Sequence, residues 1–229
     1  MSRGVLVTGA SRGIGRAIAD AFTTQGDRVF AHSTQRGDLR DAAAAEAVVT
    51  AAIADLGAID VLVNNAAVAV PQPLPTTAYA DWQRAWQETF AVNVFGAANV
   101  TYCAARHMIE RGIAGRIVNI GSRGAYRGEP DNPAYGASKA ALHAMGQSLA
   151  VSLAPYGIGV ASVAPGYVAT ERQAEKLVGE RGERLRSQSP FGRVATTEEV
   201  AAAVVYLASP LAVWASGAVL DLNGASYLR

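Results

Sequence analysis

A tyrosine and a lysine lie four positions apart in a stretch of small residues beyond the middle of the chain. The stretch NPAYGASKAALHAMG, residues 132–146, contains Tyr135 and Lys139. Positions i and i+4 share one face of a helix, so the two side chains would lie side by side. An ammonium group held beside a phenol favours the phenolate and lowers the phenol pKa from about 10. The spacing predicts a tyrosine prepared for acid–base chemistry, although an incidental pair on an exposed helix would have the same pattern.

A glycine-rich turn follows the first apolar run of the chain. The segment TGASRGIG contains Gly9, Gly13 and Gly15 between a predicted strand and a predicted helix. Such turns let the backbone approach a pyrophosphate, and the N-terminus of the following helix attracts the anion. The spacing departs from the G-x-G-x-x-G fingerprint. Because a strand and a helix flank the segment, it still predicts a dinucleotide-binding turn.

Apolar strand-like runs alternate with helical patterns along the chain. The strand runs are GVLVTGA, RVFAHS, IDVLVNNA, GRIVNIGS, GIGVASVAP and GAVLDLN. Helices are predicted from Gly13 to Gln25, from an aspartate cap to Gly57, and over 80–111 (as one helix or two), 133–154 and 197–208, with a polar helical flap over 170–189. This alternation predicts an α/β fold with a parallel sheet covered on both faces. No linker or shift in composition divides the chain, so a single domain, residues 1–229, is expected.

Composition and charge argue against several classes of function. The formal net charge of +1 gives no reason to expect nucleic acid binding. Cys103 is the single cysteine, so no disulfide framework is expected, and no cluster of histidine and cysteine suggests a metal site. The three histidines, His32, His107 and His143, are interpreted as surface or satisfied core residues.

Two segments bear on membranes and export. The first residues, MSRGVLVTG, enter a strand-like run at once and do not resemble a secretory leader. Residues 201–220 carry no charge and are long enough to span a bilayer, but Ser209-Pro210 and Ser216-Gly217 interrupt them. A buried helix, a turn and a buried strand explain this run better. No membrane partner and a cytoplasmic setting are therefore expected.

Further short motifs follow one another along the chain. They are NNAA at 64–67, VNVFG with Asn93, IVNIGS with Ser122, YGASK with Tyr135 and Lys139, PGYVAT at 165–170, and FGRVATTEEVA. With TGASRGIG, their order and spacing resemble those of the short-chain dehydrogenase/reductase family, although Ala67 stands where that family usually has glycine. The pattern is most similar to bacterial 3-oxoacyl-carrier-protein reductases and their polyketide and sugar-alcohol relatives. Such likeness does not fix a substrate.

The resemblance implies a catalytic set of Asn93, Ser122, Tyr135 and Lys139. As negative charge grows on a carbonyl oxygen, Tyr135 would donate a proton to it as general acid, and Ser122 would hydrogen-bond the same oxygen. Lys139 would lower the pKa of Tyr135 and bind the nicotinamide ribose. Asn93 would support a water that links Lys139 to solvent.

The resemblance also implies a Rossmann-like doubly wound fold and a bound nicotinamide dinucleotide. The residues expected to bind it are Gly9, Ser11, Arg12, Gly13, Ile14, Gly15, Ser33, Asp38, Leu39, Asn65, Ala66, Tyr135, Lys139, Pro165, Gly166, Val168 and Thr170.

The residues after the second strand favour NADP over NAD. An acidic residue about twenty positions after the glycine turn would accept the ribose 2′-hydroxyl of NAD. Ser33 holds that position, and neither it nor Thr34 or Arg36 would repel the extra phosphate of NADP. Arg12, inside the turn, can reach that phosphate with a planar fork of donors.

One segment is shorter than the family pattern. Asp38 and Leu39 resemble the family's adenine contact, yet only Thr34 to Gly37 separate them from Ser33. A parallel crossover needs a dozen or more residues, so the usual third strand and its preceding helix cannot both fit. A sheet of six strands is predicted, with the second strand at its edge and the next helix capped by Asp38.

The leading interpretation is an NADP-dependent ketoreductase, which reduces a ketone or oxidises a secondary alcohol of a small molecule. A dehydratase or isomerase on the same scaffold would use Tyr135 without net redox change. A nucleotide-binding regulator without turnover is the third reading, which the complete catalytic set argues against. The segments 71–79, 123–132 and 167–189 are expected to surround the substrate.

A homo-oligomer, most simply a tetramer, is also predicted. Only 17% of the residues are charged, which is a weak sign of apolar interfaces between subunits. An apolar stripe, Leu142, Met145, Leu149 and Leu153, follows one face of the predicted helix at 133–154. The resemblance implies that this helix and the one near Phe90–Met108 pack across a dimer axis.

Overall fold

A parallel sheet of six strands forms the centre of the protein. The computed structural model describes residues 2–229, and within them the strands are β1 Gly4–Val7, β2 Arg28–Ala31, β3 Val61–Asn64, β4 Arg116–Ile120, β5 Gly159–Pro165 and β6 Val219–Leu222. Their order is β2-β1-β3-β4-β5-β6, and every neighbouring pair is parallel. The predicted Rossmann-like α/β sheet of six strands is confirmed.

Helices connect the strands and cover the sheet. They are α1 Gly13–Thr24, α2 Ala42–Leu56, α3 Tyr79–Phe90, α4 Ala97–Glu110, α5 Pro133–Leu153, α6 Gly179–Arg186 and α7 Thr197–Leu207. The run predicted over 80–111 is two α-helices joined by a π-helical segment, Ala91–Gly96. The polar flap consists of a 3₁₀ segment, Glu171–Leu177, followed by α6.

Two apolar layers bury the sheet on both faces. Val5 and Val7 of β1 pack with α1 and α7, whereas Leu6 between them packs with α2 and α4. All three side chains are completely buried. Because successive side chains of a strand point to opposite faces, a strand made only of apolar residues, as β1 is, suits a sheet covered on both faces. The helices therefore leave the carboxyl ends of the strands as the place where polar groups gather.

The uncharged run at 201–220 contributes to this core. It folds as the end of α7, a 3₁₀ segment, Pro210–Ala215, and β6, so the predicted helix, turn and strand are confirmed. The prediction that the strand is buried is wrong, because β6 is at the edge of the sheet and Leu220 is 37% exposed. Within residues 2–229, no helix is long and apolar enough to cross a membrane.

The connection from β2 to α2 is short and places β2 at the edge of the sheet. Thr34–Arg36 form one 3₁₀ turn, and the next strand in the chain, β3, pairs on the other side of β1. The prediction that Asp38 caps α2 is wrong, because the chain first turns between Asp38 and Asp41. Asp41 is the cap, and its side chain accepts a hydrogen bond from the backbone N–H of Ala43. The carboxylate of Asp38 instead pairs with Arg40.

A buried histidine joins this short connection to the glycine turn. Nδ1 of His32 accepts a hydrogen bond from the backbone N–H of Gly9 at 3.3 Å, and Nε2 lies 3.0 Å from the carbonyl oxygen of Gly37. The neutral tautomer with its hydrogen on Nε2 satisfies both contacts. Burial lowers the pKa of His32, which favours this neutral form. The side chain is 2% exposed and closes the space between the turn and the shortened connection.

We expect replacement of His32 by alanine to lower the free energy of unfolding by about 1–3 kcal/mol, because a buried side chain is lost and two partly buried backbone groups lose their partner. Urea denaturation measures the change. His32→Gln should restore part of the loss, since an amide can also donate and accept. His107→Ala is the matched control, because His107 is only half-buried and makes one long contact, 3.4 Å, with the N–H of Ile59. Equal losses in the two alanine variants would contradict the bridging role of His32.

Candidate active site

A cleft of about 840 Å³ lies at the carboxyl edge of the sheet. The ends of β1, β3, β4 and β5 form its floor, and the flap beginning at Thr170 borders one side. Every residue predicted to bind the dinucleotide lines this cleft. Of the predicted catalytic set, Ser122, Tyr135 and Lys139 line it and Asn93 does not.

The glycine turn forms one end of the cleft. Gly9 and Gly13 have φ values of 65° and 54°, in the left-handed region that favours glycine. A Cβ on Gly9 would lie 2.8 Å from the Cα of Ala66, and one on Gly15 would lie 2.3 Å from the carbonyl oxygen of Gly9. No side chain caps the start of α1, and its first turn holds no acidic residue. The turn is therefore close-packed from behind and presents free backbone N–H groups to the cleft.

Thr8 and Asn65 hold the glycine turn in place. The hydroxyl of Thr8 accepts hydrogen bonds from the backbone N–H groups of Asn65 and Ala66, at 2.9 and 3.0 Å. In return, the side-chain amide of Asn65 donates to the carbonyl oxygens of Thr8 and Gly9. Sequence reasoning did not single out Thr8, although it opens the TGASRGIG segment.

Helix α5 brings Tyr135 and Lys139 to the opposite end of the cleft. The ammonium nitrogen of Lys139 lies 5.7 Å from the centre of the Tyr135 ring and donates a hydrogen bond, 2.7 Å long, to the carbonyl oxygen of Ile120. Lys139 is only 2% exposed. Burial lowers the pKa of Lys139 to about 7, and the charge of Arg172 acts in the same direction.

The predicted lowering of the Tyr135 pKa by Lys139 is wrong for this structure. Burial raises the pKa of Tyr135, and the hydroxyl of Ser122 and the charge of Arg172 only partly oppose the rise. The same burial that disfavours the phenolate also disfavours the ammonium expected to stabilise it. Tyr135 therefore keeps its proton at neutral pH.

Ser122 lies where β4 ends. Its Oγ accepts a hydrogen bond from the backbone N–H of Gly124 at 2.9 Å, which fixes the side chain beside the phenol of Tyr135. The hydroxyl hydrogen is not used in that contact and is available to a ligand.

Asn93 lies behind the cleft, in the π-helical segment. Its Oδ1 accepts from the backbone N–H of Val68, and its Nδ2 donates to the carbonyl oxygen of Val68 and to Ser138. Ser138 in turn donates to the carbonyl oxygen of Tyr135. The side-chain amide of Asn93, 1% exposed, therefore ties α5 to the loop after β3.

The far end of the glycine turn is basic. Arg12 lines the cleft and forms no ion pair with any carboxylate in residues 2–229. Ser33 and Thr34 line the same part of the cleft. Arg36 does not, because its guanidinium stacks 4.7 Å from the centre of the Phe30 ring. Asp38 lines the cleft with its carboxylate held by Arg40.

The segments expected to surround the substrate contribute unequally. Arg123, Glu129 and Tyr167 line the cleft near Ser122, as do several residues of the flap. Of the segment 71–79, only Pro71 does so within the described residues. Charged side chains at this end of the cleft thus come from the loop after β4 and from the flap.

Comparisons with known proteins agree with this arrangement. A family model described as Enoyl-(Acyl carrier protein) reductase matches residues 31–224. The chain is 34% identical over 249 residues to L-rhamnose 1-dehydrogenase (NAD(P)(+)) of a Sphingomonas species, covering 98% of this chain and 96% of the relative. It is 35% identical over 240 residues to D-threitol dehydrogenase of Mycolicibacterium smegmatis, covering 96% and 90%. A crystal structure of the 3-ketoacyl-(acyl-carrier-protein) reductase from Brucella melitensis complexed with NADH has a TM-score of 0.88 and 27% identity, covering 99% of this chain and 98% of that one.

The chain therefore belongs to the short-chain dehydrogenase/reductase family, as the resemblance of its motifs implied. Its relatives are oxidoreductases whose names or bound ligands include NAD, NADP or NADH.

The low pKa of Lys139 leads to a prediction about stability and pH. Between about pH 7 and the ordinary value of 10.5, the unfolded chain holds a proton on Lys139 that the folded protein does not. Stability should therefore rise with pH in this window, by up to about 1.4 kcal/mol per pH unit. Urea unfolding of the cofactor-free protein and of Lys139→Met, at intervals from pH 7 to 10, isolates this contribution. The gain should be absent from the methionine variant, and parallel curves would contradict the lowered pKa.

Proposed function

We propose that the chain is an NADP-dependent ketoreductase that reduces a ketone, or oxidises a secondary alcohol, of a small molecule. The observation that carries the proposal is the convergence of Ser122, Tyr135 and Lys139 at one end of a cleft whose other end is a glycine turn. The relatives named for L-rhamnose and D-threitol support it, because both act on carbon atoms that bear hydroxyl groups.

The cleft suits a nicotinamide dinucleotide. The glycine turn leaves no room for a Cβ at Gly9 or Gly15 and presents N–H groups of the first turn of α1, which suits a pyrophosphate. Pro165 and Val168, at and after the end of β5, would border the nicotinamide, and Lys139 would bind its ribose. When bound, the dinucleotide supplies or accepts the hydride.

Side chains of the protein would hold and donate the proton. Because burial raises the pKa of Tyr135, the phenol is protonated at neutral pH and can donate to a carbonyl oxygen as it gains negative charge. Ser122 can donate a second hydrogen bond to the same oxygen. Lys139, with a pKa of about 7, holds a proton that can be exchanged near neutrality. Asn93 is assigned a positioning role, since it holds the backbone of α5 through Ser138.

The preference for NADP rests on charge at the ribose end of the cleft. Arg12 has no carboxylate partner among the described residues, and the position that would hold an acidic residue in an NAD site is Ser33. A 2′-phosphate would meet a guanidinium there, and the carboxylate of Asp38, which also lines the cleft, is paired with Arg40.

We also infer a homo-oligomer, most simply a tetramer. Of the predicted stripe, Leu142 and Leu153 are 2% and 7% exposed and pack inside the subunit, whereas Met145 and Leu149 are half-buried. The exposed apolar side chains on and beside α4 and α5 are instead Phe95, Tyr102 and Val151. These three side chains lie away from the core of the subunit, on the outer face of the helices. Such a face suits isologous pairing, in which the same surface of a second subunit packs against it.

A second apolar surface lies on the other side of the sheet. Trp214 is 97% exposed, and Leu211 and Tyr206 lie on the same segment or on α7 beside it. Two separate apolar faces are what a tetramer built from two kinds of two-fold contact requires.

Tyr135→Phe should lower turnover of a ketone by at least about 10²-fold, because the general acid is lost while the ring remains. NADPH binding, followed by fluorescence, should persist. Tyr126→Phe is a suitable control, since Tyr126 lies outside the cleft and hydrogen-bonds His143. Near-normal ketone reduction by Tyr135→Phe would refute the assignment, and conversion of substrate without NADPH consumption would favour a dehydratase or isomerase.

Arg12→Ala should weaken the binding of NADPH much more than the binding of NADH, because only NADPH carries the 2′-phosphate. The measurement is KM for each cofactor in the wild type and the variant. Arg16→Ala serves as the matched control, since Arg16 is exposed on the first turn of α1, pairs with Asp20 and does not line the cleft. Equal losses for both cofactors would show that Arg12 does not contact the phosphate.

A further inference from the structure

A carboxylate without a polar partner lies at the catalytic end of the cleft. Within residues 2–229, Glu129 accepts no side-chain hydrogen bond, and no basic group lies within 4.0 Å of it. It is half-buried, and glycines make room for it: a Cβ on Gly124 would lie 2.7 Å from Oε1, and one on Gly136 would lie 3.8 Å from its Cβ. Because Gly136 lies in the first turn of α5, the stem of the Glu129 side chain packs against the start of the helix that holds the proposed general acid, and Glu129 lines the cleft. Its hydrogen-bonding capacity is open to a ligand.

A buried guanidinium lies at the same end. Arg123, the residue after Ser122, is 5% exposed. It donates to Gln188 at 2.9 Å and to the hydroxyl of Ser226, and its plane lies over the ring of Tyr167. A guanidinium carries five N–H donors, so these two bonds leave donors free. No carboxylate in the described chain lies within 4.0 Å of Arg123.

Both residues line the cleft, while the hydrogen-bond partners of Arg123, Gln188 and Ser226, line a second cavity that Arg123 also borders. Burial raises the pKa of Glu129, and the charges of Arg123, Arg127 and Lys176 oppose the rise. The charge of Glu129 also acts on Tyr135. An acceptor without a donor and a donor with unused hydrogens therefore line the same cleft as Ser122 and Tyr135.

The chemistry of the ligand follows from this pair. An acyl thioester presents carbonyl oxygens, which only accept, and would cover Glu129 without giving its carboxylate a donor. A cationic ligand would meet the surrounding positive charges, and an anionic ligand would meet Glu129. A hydroxyl group both donates and accepts, so neighbouring hydroxyls satisfy the carboxylate and the guanidinium together.

We propose that the substrate is a polyhydroxy compound, a sugar or an alditol, in which Glu129 accepts a hydrogen bond from a hydroxyl next to the reacting carbon and Arg123 donates to another. This inference rests on the proposed function, in which Ser122 and Tyr135 take the reacting oxygen. Glu129 and Arg123 are assigned to substrate binding, not to proton transfer.

The test uses the full chain with NADP and two groups of alcohols. Alditols and aldoses form one group, and cyclohexanol, with a single hydroxyl, represents the other; ethyl 3-oxobutanoate with NADPH represents 3-oxoacyl compounds. Glu129→Ala should raise KM for the best polyol by about 10- to 100-fold, the loss expected for a hydrogen bond to a charged group. KM for cyclohexanol should change less than about threefold. Glu129→Gln keeps a hydrogen-bond acceptor, so its KM for the polyol should fall between that of the wild type and that of Glu129→Ala.

Asp131→Asn is the matched control, because Asp131 belongs to the same loop, is exposed and does not line the cleft. A deoxy analogue that lacks the hydroxyl beside the reacting carbon sharpens the test. It should lose affinity with the wild type but not with Glu129→Ala, since the two deletions remove the same contact.

The outcomes separate the two proposals. If cyclohexanol or ethyl 3-oxobutanoate reacts and no polyol does, the ketoreductase proposal stands and the polyhydroxy substrate is refuted. Equal changes of KM for polyol and cyclohexanol in Glu129→Ala would also refute it. If no alcohol or ketone reacts with either cofactor, the proposed function itself fails.

Discussion

The common direction of the six strands is the constraint on which the rest of the molecule depends. Parallel strands buried on both faces leave polar side chains little room except beyond the strand ends. All carboxyl ends therefore meet at one edge, where Gly9, Asn65 and Ser122 follow β1, β3 and β4, and Pro165 ends β5. Residues far apart in the chain become the walls of a single cleft, which is where ligands bind in open sheets of this kind.

Within that cleft, burial decides the protonation states more than the pairing of charges does. Burial raises the pKa of the Tyr135 phenol and lowers the pKa of the Lys139 ammonium, so that in each group the neutral form is favoured. The result is a protonated acid beside a lysine that exchanges its proton near pH 7.

Much of the fold could be predicted from the sequence because its signals are local. The short Thr34–Gly37 connection limited the strand number, and the spacing of Ser122 and Tyr135 located the catalytic end. Features that depend on packing could not be predicted. Asp41, not Asp38, caps α2 because of a turn that only coordinates reveal.

The apolar stripe of α5 and the histidine bridge show the same limit. A stripe marks a buried face but does not say whether the subunit or a partner buries it, and Leu142 and Leu153 proved to be buried within the subunit. His32 carried no motif, since its bridge joins backbone groups of Gly9 and Gly37 that only the folded chain brings together. The only signal in the sequence for this bridge was the unusually short connection that follows His32.

The π-helical segment, Ala91–Gly96, sets the rotation of α4 about its axis relative to α3. A π turn holds one residue more than an α turn, and each residue of an α-helix rotates the chain by about 100°. The run from Tyr79 to Glu110 is thus two helices out of phase by roughly one residue, so α3 and α4 present faces that an unbroken helix could not align. Asn93 sits at that phase shift and points toward α5. Deletion of a single residue there would bring the two helices back into phase and carry the asparagine away from Ser138. The two helices would then present different faces to their neighbours.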